Sequence, residues 1–433
     1  MDAKEDLGVG PCKQMVDAQW VNLRRLHLAH GFPDDGGLSM LLTAGWSSLQ
    51  HLCLDDNDMG SLHMVLLSER CWPNLTSLSL RLNYIGSDGM TALVKGKWPS
   101  LEALDLENND IDAPGCVALS KSTWQNLKFL NISNNQVETT GVEHLMKGDW
   151  PLLKSLCMRA VALHEHMDLV LAKGSWSELT RLHLGRNNVS LKLDEGGPCL
   201  QRLDLSETCV ESSGTHPMGK HGWGSLKRLC LCGTTGTYKD GRLPIAVCTM
   251  LECLDLSACK LIYFGYPSKF GVANLFSACW PRMQYLKLAD CALNKVSIKR
   301  LVTVGCNWPL LTVLDLHGNN IDSAAISCLV TGDWPLLQAL DLSENNLDER
   351  SIHILIEAHP WPRLEELHLD DFQLRLLQAE LTNSYFVFYP DSMSELDKAQ
   401  VAQLARRHWP RLKHFQDTGP LDFSVSDRWL QFW

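Results

Sequence analysis

Tryptophan recurs along this chain at a fixed interval. The first seven tryptophans are each 26 residues apart: Trp20, Trp46, Trp72, Trp98, Trp124, Trp150 and Trp176. A rare residue at a constant period indicates an array of structural repeats, in which each unit stacks on its neighbours. Although 433 residues would ordinarily suggest about three globular domains, the period predicts one elongated repeat domain.

A leucine pattern begins three residues after each of these tryptophans. It has the form L-x-x-L-x-L, as at Leu75, Leu78 and Leu80. The final L-x-L predicts a short β-strand, because alternate side chains of a strand point to the same face.

Three residues beyond the strand, seven repeats carry asparagine: Asn57, Asn83, Asn109, Asn135, Asn187, Asn319 and Asn345. A buried Asn amide can hydrogen-bond backbone groups, so stacked copies are expected to form a ladder. Cys259 and Cys291 take the same position in two other repeats.

Each repeat then carries apolar residues at helical spacing. Beyond Asn83 these are Ile85, Met90 and Leu93, which predict a short helix. The helix is expected to end near a Gly-x-Trp-Pro segment such as Gly96–Pro99, because glycine suits a helix end and proline cannot continue a helix.

One complete repeat reads LxxLxLxxNxIxxxGxxxLxxGxWP, and related units cover about residues 12–415. This unit resembles a leucine-rich repeat of the ribonuclease-inhibitor-like class, in a 26-residue Trp-Pro variant. The resemblance implies an α/β solenoid, a leucine-rich repeat horseshoe with a concave parallel β-sheet and short convex helices. Members of such a family share an architecture and not a reaction.

Strand-opening residues divide the chain into three parts. Fourteen of them run from Leu23 to Leu364, which predicts a leucine-rich repeat solenoid over residues 23–371. Residues 1–22 are expected to form an N-terminal half-repeat or cap, and residues 372–433 an irregular C-terminal repeat and cap. Two stretches read as loops, Gly233–Pro244 and Lys260–Ala278. Insertions of this kind often belong to a binding surface, although their aromatic residues can equally pack the enlarged repeat.

Net charge and hydropathy limit the classes of molecule that this chain is expected to bind. The formal net charge is −11, so nucleic-acid binding, which normally requires a basic excess, is not expected. No apolar run approaches the roughly 18 to 20 residues that cross a bilayer, so no membrane association is expected either. The first residues are acidic and lack the apolar segment of a secretory signal.

Cysteine usage favours a reducing compartment. The 16 cysteines include no C-x-x-C pair, and Cys230 and Cys232 are the closest approach to one. Neither a zinc site nor any other cofactor is therefore expected. Scattered thiols fit a cytoplasmic location, as does the glycosylation sequon at Asn131, which would place a glycan inside the concave face.

The strand register allows candidate binding residues to be named. Arg181, Arg202 and Arg228 follow one another at equivalent positions of the predicted concave face, whereas later repeats turn acidic. The full candidate set is Arg159, Arg181, Arg186, Arg202, Arg228, Asp255, Tyr285, Lys287, Asp315, Asp341, Glu344, His368, Asp370 and Asp371. Complementary charge would orient a protein partner on this surface. The alternative is that these groups pair among themselves.

No enzyme motif accompanies the repeats. The sequence contains no phosphate-binding loop, no G-x-S-x-G elbow, no H-E-x-x-H pair and no dinucleotide fingerprint. We therefore expect a non-catalytic scaffold that binds a protein partner on its concave face as an inhibitor, a sensor or a substrate-recognition part. Such a protein would be monomeric outside its complex. The alternatives are a GTPase-activating protein resembling the leucine-rich repeat activators of Ran, a recognition subunit of a ubiquitin ligase complex, and a structural component of a fixed assembly.

Overall fold

A computed structural model describes residues 9–18, 20–30, 35–42, 45–163, 176–187, 200–208, 223–237, 248–263, 266–267, 280–303, 308–358, 361–383 and 395–416. The chain divides into two compact units. The first is Met1–Val210 with Lys220–Trp223, and the second is Glu211–Gly219 with Gly224–Trp433.

In the first unit, short parallel strands follow one another in chain order. Within its described residues they are β1 Arg25–His27, β2 His51–Cys53, β3 Ser77–Ser79, β4 Ala103–Asp105, β5 Phe129–Asn131, β6 Ser155–Cys157, β7 Arg181–His183 and β8 Arg202–Asp204. Each strand pairs with the next without a register slip, so that Leu78 lies between Leu52 and Leu104. The equivalent positions of successive repeats therefore form straight columns across this sheet.

Helices alternate with these strands. They are α1 Val9–Asp17, α2 Asp35–Leu42, α3 Ser61–Ser68, α4 Gly86–Leu93, α5 Ala113–Leu119 and α6 Glu138–Leu145. Successive helices pack on one another, and their buried residues, such as Met90 and Leu93 of α4, face the core. The middle leucine of each strand from β2 to β8 is also buried there.

The second unit repeats this arrangement with more variation. Its described strands are β9 Arg228–Cys230, β10 Thr235–Thr237, β11 Cys253–Asp255, β12 Lys260–Tyr263, β13 Tyr266–Pro267, β14 Tyr285–Lys287, β15 Val313–Asp315, β16 Ala339–Asp341, β17 Glu366–His368 and β18 His414–Gln416. Its described helices are α7 Lys295–Thr303, α8 Ser323–Leu329, α9 Glu349–Ala358, α10 Asp371–Thr382 and α11 Glu395–Ala405, after a short 3₁₀ turn at Trp223–Ser225. Strands β9, β11 and β14 to β18 pair in parallel. Both units thus have the α/β solenoid fold expected of leucine-rich repeats.

The two stretches that read as loops are partly strands. Strand β10 pairs in parallel with β12, which pairs with β13 in the antiparallel sense. The loop prediction is wrong for these residues, because Thr235, Thr237, Ile262 and Tyr263 are of types that favour strands, and the two stretches pair with each other. Most other residues of both stretches lie outside the described part of the chain, as do residues 384–394 and 417–433 of the expected C-terminal repeat and cap. Helix α11 lies between these two ranges.

The periodic tryptophans form stacks in the core. Trp98 lies between Trp72 and Trp124, with ring centroids 6.4 and 5.8 Å apart and planes tilted by 17° and 15°. Further stacked pairs are Trp150 with Trp176, Trp280 with Trp308, and Trp334 with Trp361. Trp20, by contrast, is 41 % exposed. The indoles therefore join repeats along the array but do not include its first member.

Glycine lies two residues before several of these tryptophans, where it is in contact with the indole. A Cβ atom on Gly96 would lie 2.6 Å from the Trp98 ring, and the equivalent distance from Gly148 to Trp150 is 2.7 Å. The expectation that this glycine caps the helix is wrong for α4, which ends at Leu93 and is capped by Val94 in an ordinary right-handed conformation. Glycine thus leaves room for the ring in these repeats, whereas Arg70 and Ser122 take the same position before Trp72 and Trp124.

The expected asparagine ladder is present. The Asn83 amide nitrogen donates hydrogen bonds to the carbonyl oxygens of Leu54 at 3.0 Å and of Leu80 at 2.9 Å. Its Oδ1 accepts from the backbone N–H groups of Asn57 at 3.1 Å and Met59 at 2.9 Å. Each ladder residue of this kind joins its own repeat to the preceding one, which fixes the distance between them.

In the second unit, cysteine replaces asparagine at two positions of the ladder. The Cys259 thiol donates to the Leu231 carbonyl at 2.8 Å, and the Cys291 thiol donates to the Leu256 carbonyl at 3.1 Å. These carbonyls are the counterparts of the Leu54 carbonyl that Asn83 binds. A thiol thus retains the donor half of the asparagine contact.

Replacement of Trp98 by alanine is expected to lower the free energy of unfolding by about 3–5 kcal/mol, because it leaves a cavity between two stacked indoles. Denaturant titration measures this loss. Trp20→Ala is the control, and we expect it to cost below about 1 kcal/mol since that side chain is 41 % exposed. A loss below about 1 kcal/mol for Trp98→Ala would contradict the role of the stack.

Replacement of Asn83 by alanine is expected to cost about 3–5 kcal/mol, because several buried backbone groups lose their partner together. Asn83→Cys is expected to recover roughly half of that loss, since the thiol can still donate. Urea titration of both variants beside Asn126→Ala, an exposed asparagine whose amide donates to Pro99, tests this order. Equal losses for Ala and Cys would show that the donor contributes nothing.

Candidate functional site

The first and third residues of each strand point away from the buried middle leucine. Together they form the strand face of each unit, which corresponds to the surface predicted to be concave. Since the leucines and ladder asparagines hold the repeats together, the fold leaves the residue types on this face free. In β3 both positions are serine, whereas β7 carries Arg181 and His183.

Two arginines lie side by side on the strand face of the first unit. Arg181 of β7 is in register with Arg202 of β8, and both are half-buried. The next column pairs His183 with Asp204, whose Nδ1 and Oδ2 atoms are 3.7 Å apart. Burial alone would raise the pKa of Asp204, but hydrogen bonds from His183 and Ser206 hold it below its ordinary value.

Two further arginines meet a glutamate at the edge of this face. The Arg186 Nε donates to both carboxylate oxygens of Glu207, at 3.0 and 2.9 Å. The Arg159 Nη2 donates to the same carboxylate at 3.1 Å. All three side chains are about half exposed. The sequence alone did not single out Glu207, because it is 48 residues from Arg159 and only the stacking of the repeats brings them together.

Arg228 belongs to the second unit. It begins β9 and is in register with Cys253 of β11. Cys230 is likewise opposite Asp255. Among the described residues, no group of three or more His, Cys, Asp or Glu side chains is arranged to hold a metal ion.

An acidic column runs along the strand face of the second unit. Its members, at the third position of β11, β14, β15, β16 and β17, are Asp255, Lys287, Asp315, Asp341 and His368. Lys287 Nζ lies 4.0 Å from the Asp255 carboxylate, and His368 Nδ1 lies 3.3 Å from the Asp341 carboxylate. Asp315, Asp341 and His368 are each buried. In the free chain these charges therefore face one another more than they face solvent.

Burial and neighbouring charges give the two central carboxyl groups of this column, Asp315 and Asp341, different pKa values. Burial, with Asp341 beside it, raises the pKa of Asp315 to about 6. Burial also opposes ionisation of Asp341, but hydrogen bonds from His368 and Ser343 keep its pKa below the ordinary value. Asp315 is consequently the one of these two groups whose ionisation the folded state opposes.

The other acidic candidates support local structure. Asp370 begins α10, and its carboxylate accepts from the backbone N–H of Glu344 at 3.0 and 3.1 Å. Asp371 lies 3.8 Å from Nζ of the buried Lys398. The exposed Glu344 lies 3.8 Å from His317 Nε2.

Tyr285 occupies the first column of the second unit. It is partly buried and packs with Val313 against Ala339, at equivalent positions of β14, β15 and β16. The tyrosine thus belongs to a small apolar strip beside the acidic column. Its part in binding, like that of the other candidates, stays a prediction.

No disulfide joins the cysteines in the described part of the chain. Burial raises the pKa of the thiols of Cys53 and Cys116 to about 12 in each case, so neither is a nucleophile at neutral pH. Within the described part of the chain, no helix has the length and apolar character needed to span a bilayer.

Three stretches of the chain match the family model described as Leucine Rich repeat. They are residues 73–94, 99–120 and 125–146. Each stretch begins one residue after a stacked tryptophan, namely Trp72, Trp98 and Trp124. The match therefore has the same period and boundaries as the structural repeat.

Solved structures of similar architecture include two Listeria monocytogenes proteins. The crystal structure of an internalin, InlF, is 15 % identical, with a TM-score of 0.42 over 80 % of this chain and 86 % of that one. The functional domain of InlJ, described as including a cysteine ladder, is 15 % identical, with a TM-score of 0.41 over 81 % of this chain and 70 % of that one. No curated protein sequence matches this chain. The three matched stretches are leucine-rich repeats, and the described strands and helices of both units have the solenoid fold of such repeats.

Proposed function

We propose that this protein is a non-catalytic scaffold that binds a protein partner through the strand face of its first unit. The observation that carries the proposal is the register pairing of Arg181 with Arg202. Neighbouring parallel strands are about 4.8 Å apart, so two like charges are held close together. The two guanidinium groups together give this part of the strand face a positive potential.

The fold does not require arginine at these positions. The same column holds Ser77, Ala103, Phe129 and Ser155 in the preceding strands. A guanidinium group offers donors in a geometry that matches a carboxylate. The chemistry therefore favours a partner segment rich in Asp or Glu.

The cluster at the edge extends this basic region. Arg159 and Arg186 share the single carboxylate of Glu207, so positive charge exceeds negative charge there. Exposed charge of this kind directs the approach of a partner and contributes less to its final affinity. We propose that Arg181 and Arg202 contact the bound partner, whereas Arg159, Arg186 and Glu207 orient it as it approaches.

The acidic column of the second unit is less suited to recognition in the free chain. Asp341 and His368 are buried against each other, and Asp255 is close to Lys287. A buried, compensated ion pair contributes mainly to the structure that contains it. We therefore propose that the partner first contacts Arg181 and Arg202.

The same proposal includes a cytoplasmic site of action and a single-chain form outside the complex, and two features support the location. The described cysteines form no disulfide with one another, and unpaired thiol groups of this kind persist in a reducing compartment. Asn131, which carries a glycosylation sequon, is buried with its amide donating to Asp105 at 3.0 Å. A glycan there would remove that contact.

Within this proposal, the protein acts as an inhibitor, a sensor or a substrate-recognition part of a larger complex. The Ran-type GTPase activator and the ubiquitin ligase subunit are the alternatives. An increase in GTP hydrolysis when the purified protein is added to a panel of small GTPases would favour the first of these over a scaffold.

The double variant Arg181→Glu/Arg202→Glu is expected to lose the acidic partners that the wild type captures from a cell extract, because the new carboxylates repel them. Quantitative mass spectrometry of the captured proteins measures the loss. The matched control is Arg282→Glu/Arg363→Glu, which reverses two exposed arginines of the second unit. Capture of the same partners by both variants, with unchanged thermal unfolding, would contradict the proposal.

Asp315→Asn is expected to leave partner capture unchanged and to raise stability at neutral pH. Because the folded state holds the pKa of Asp315 at about 6, its ionisation reduces stability as the pH rises from about 4 to 6. The variant should thus gain about 2 kcal/mol more at pH 7.5 than at pH 4. Urea titration at both pH values measures this. Loss of the captured partners would instead assign recognition to the acidic column.

A further inference from the structure

One loop of the first unit carries apolar residues where its neighbours carry polar ones. Leu82 and Tyr84 lie on either side of the ladder residue Asn83 and are 42 % and 63 % exposed. The equivalent pairs in the adjacent repeats are Asp56 with Asp58 and Asn108 with Asp110. Since the three repeats share one backbone, the fold itself does not explain a leucine and a tyrosine there.

The backbone at Leu82 makes its presence more unusual. Its φ is +54°, and the equivalent residues Asp56 and Asn108 both have φ +56°. Asparagine and aspartate tolerate this left-handed conformation, whereas it is unfavourable for leucine. At Leu82 the backbone conformation is therefore unfavourable for the residue type, and the side chain is not buried in the core. Strained residues of this kind are concentrated at functional sites.

Helix α3 adds two apolar side chains next to this loop. Leu62 and Val65, three residues apart and so on one side of the helix, are 78 % and 44 % exposed. The Tyr84 N–H donates to the Met59 carbonyl at 2.9 Å, which holds the loop beside the residues that lead into α3. We call Leu62, Val65, Leu82 and Tyr84 the apolar ridge.

Carboxylates flank the apolar ridge. Asp58 precedes it by one repeat, Asp110 follows it by one repeat, and Asp88 lies on α4; all three are exposed. Arg81, the basic residue of the same loop, is engaged by Glu107 at 2.8 Å. Asp56 contacts His30 at 2.7 Å. The surroundings of the ridge are thus acidic, in contrast to the arginine pair.

We propose that the apolar ridge is a second protein-interaction surface, whose partner is a basic segment with an aromatic or aliphatic anchor. Exposed apolar patches rimmed by polar residues are typical of interaction sites. Tyrosine is a frequent energetic centre of such interfaces, and the carboxylates on both sides complement lysine or arginine in the partner. This surface is independent of the one assigned to the arginine pair and prefers the opposite charge.

A random-peptide phage library selected on the full chain tests the proposal. The selection is expected to enrich peptides that combine Lys or Arg with an aromatic or aliphatic residue. The decisive variant is Leu82→Asn/Tyr84→Gln, which installs residues found at these positions in neighbouring repeats. The control is Leu152→Asn/Leu310→Gln, which removes two exposed leucines elsewhere.

Synthetic copies of the enriched peptides should bind the wild type and the control equally, and bind Leu82→Asn/Tyr84→Gln about tenfold or more weakly. Asparagine suits the left-handed position, so Leu82→Asn/Tyr84→Gln should melt at a temperature no lower than that of the wild type. If it melts at a lower temperature, Tyr84→Gln alone is tested in its place. Asp58→Asn/Asp110→Asn should weaken binding and reduce its dependence on salt. Enrichment of acidic peptides, failure to enrich any, or equal binding to the ridge variant would overturn the proposal. Wild-type self-association that the ridge variant abolishes would overturn it too, because the occupant would then be a second copy.

Discussion

Backbone groups at the end of each short strand lose water when one repeat stacks on the next, and the rest of the structure depends on how they are satisfied. The Asn83 side chain contacts two successive repeats at once, as donor and as acceptor. A buried polar group without a partner is costly, so this contact holds the distance between the repeats within narrow limits. Cysteine in the second unit retains part of the same contact, through which Cys259 still joins its repeat to the preceding one.

The tryptophan stacks are the second set of contacts, after the asparagine ladder, that join neighbouring repeats. They connect repeats through large apolar surfaces on the side where the helices end, and glycine before Trp98, Trp150 and Trp334 leaves room for the ring. Ladder and stack together hold the backbone from both sides of the repeat. The strand face is therefore left free to vary, which is why Ser77 and Arg181 can occupy the same column.

The fold was predictable from the sequence because its determinants are local and periodic: an indole every 26 residues from Trp20 to Trp176, and an asparagine beyond the L-x-L pattern in seven repeats. The candidate site was predictable only in part. Register correctly placed Arg181 beside Arg202, but burial and pairing depend on side chains from other repeats. The contact between Glu207 and Arg159, and the burial of Asp341 by His368, join residues 48 and 27 positions apart. Patterns within one repeat do not contain that information.

A left-handed residue recurs seven positions after the strand-opening residue in the described repeats, from His30 to Glu344. Its occupants range from glycine and asparagine to leucine, arginine and glutamate. Each projects from nearly the same backbone, so a single substitution can alter what the surface binds without disturbing the array. Recognition and stability can thus diverge independently in this protein, because different residues of the same repeat determine them.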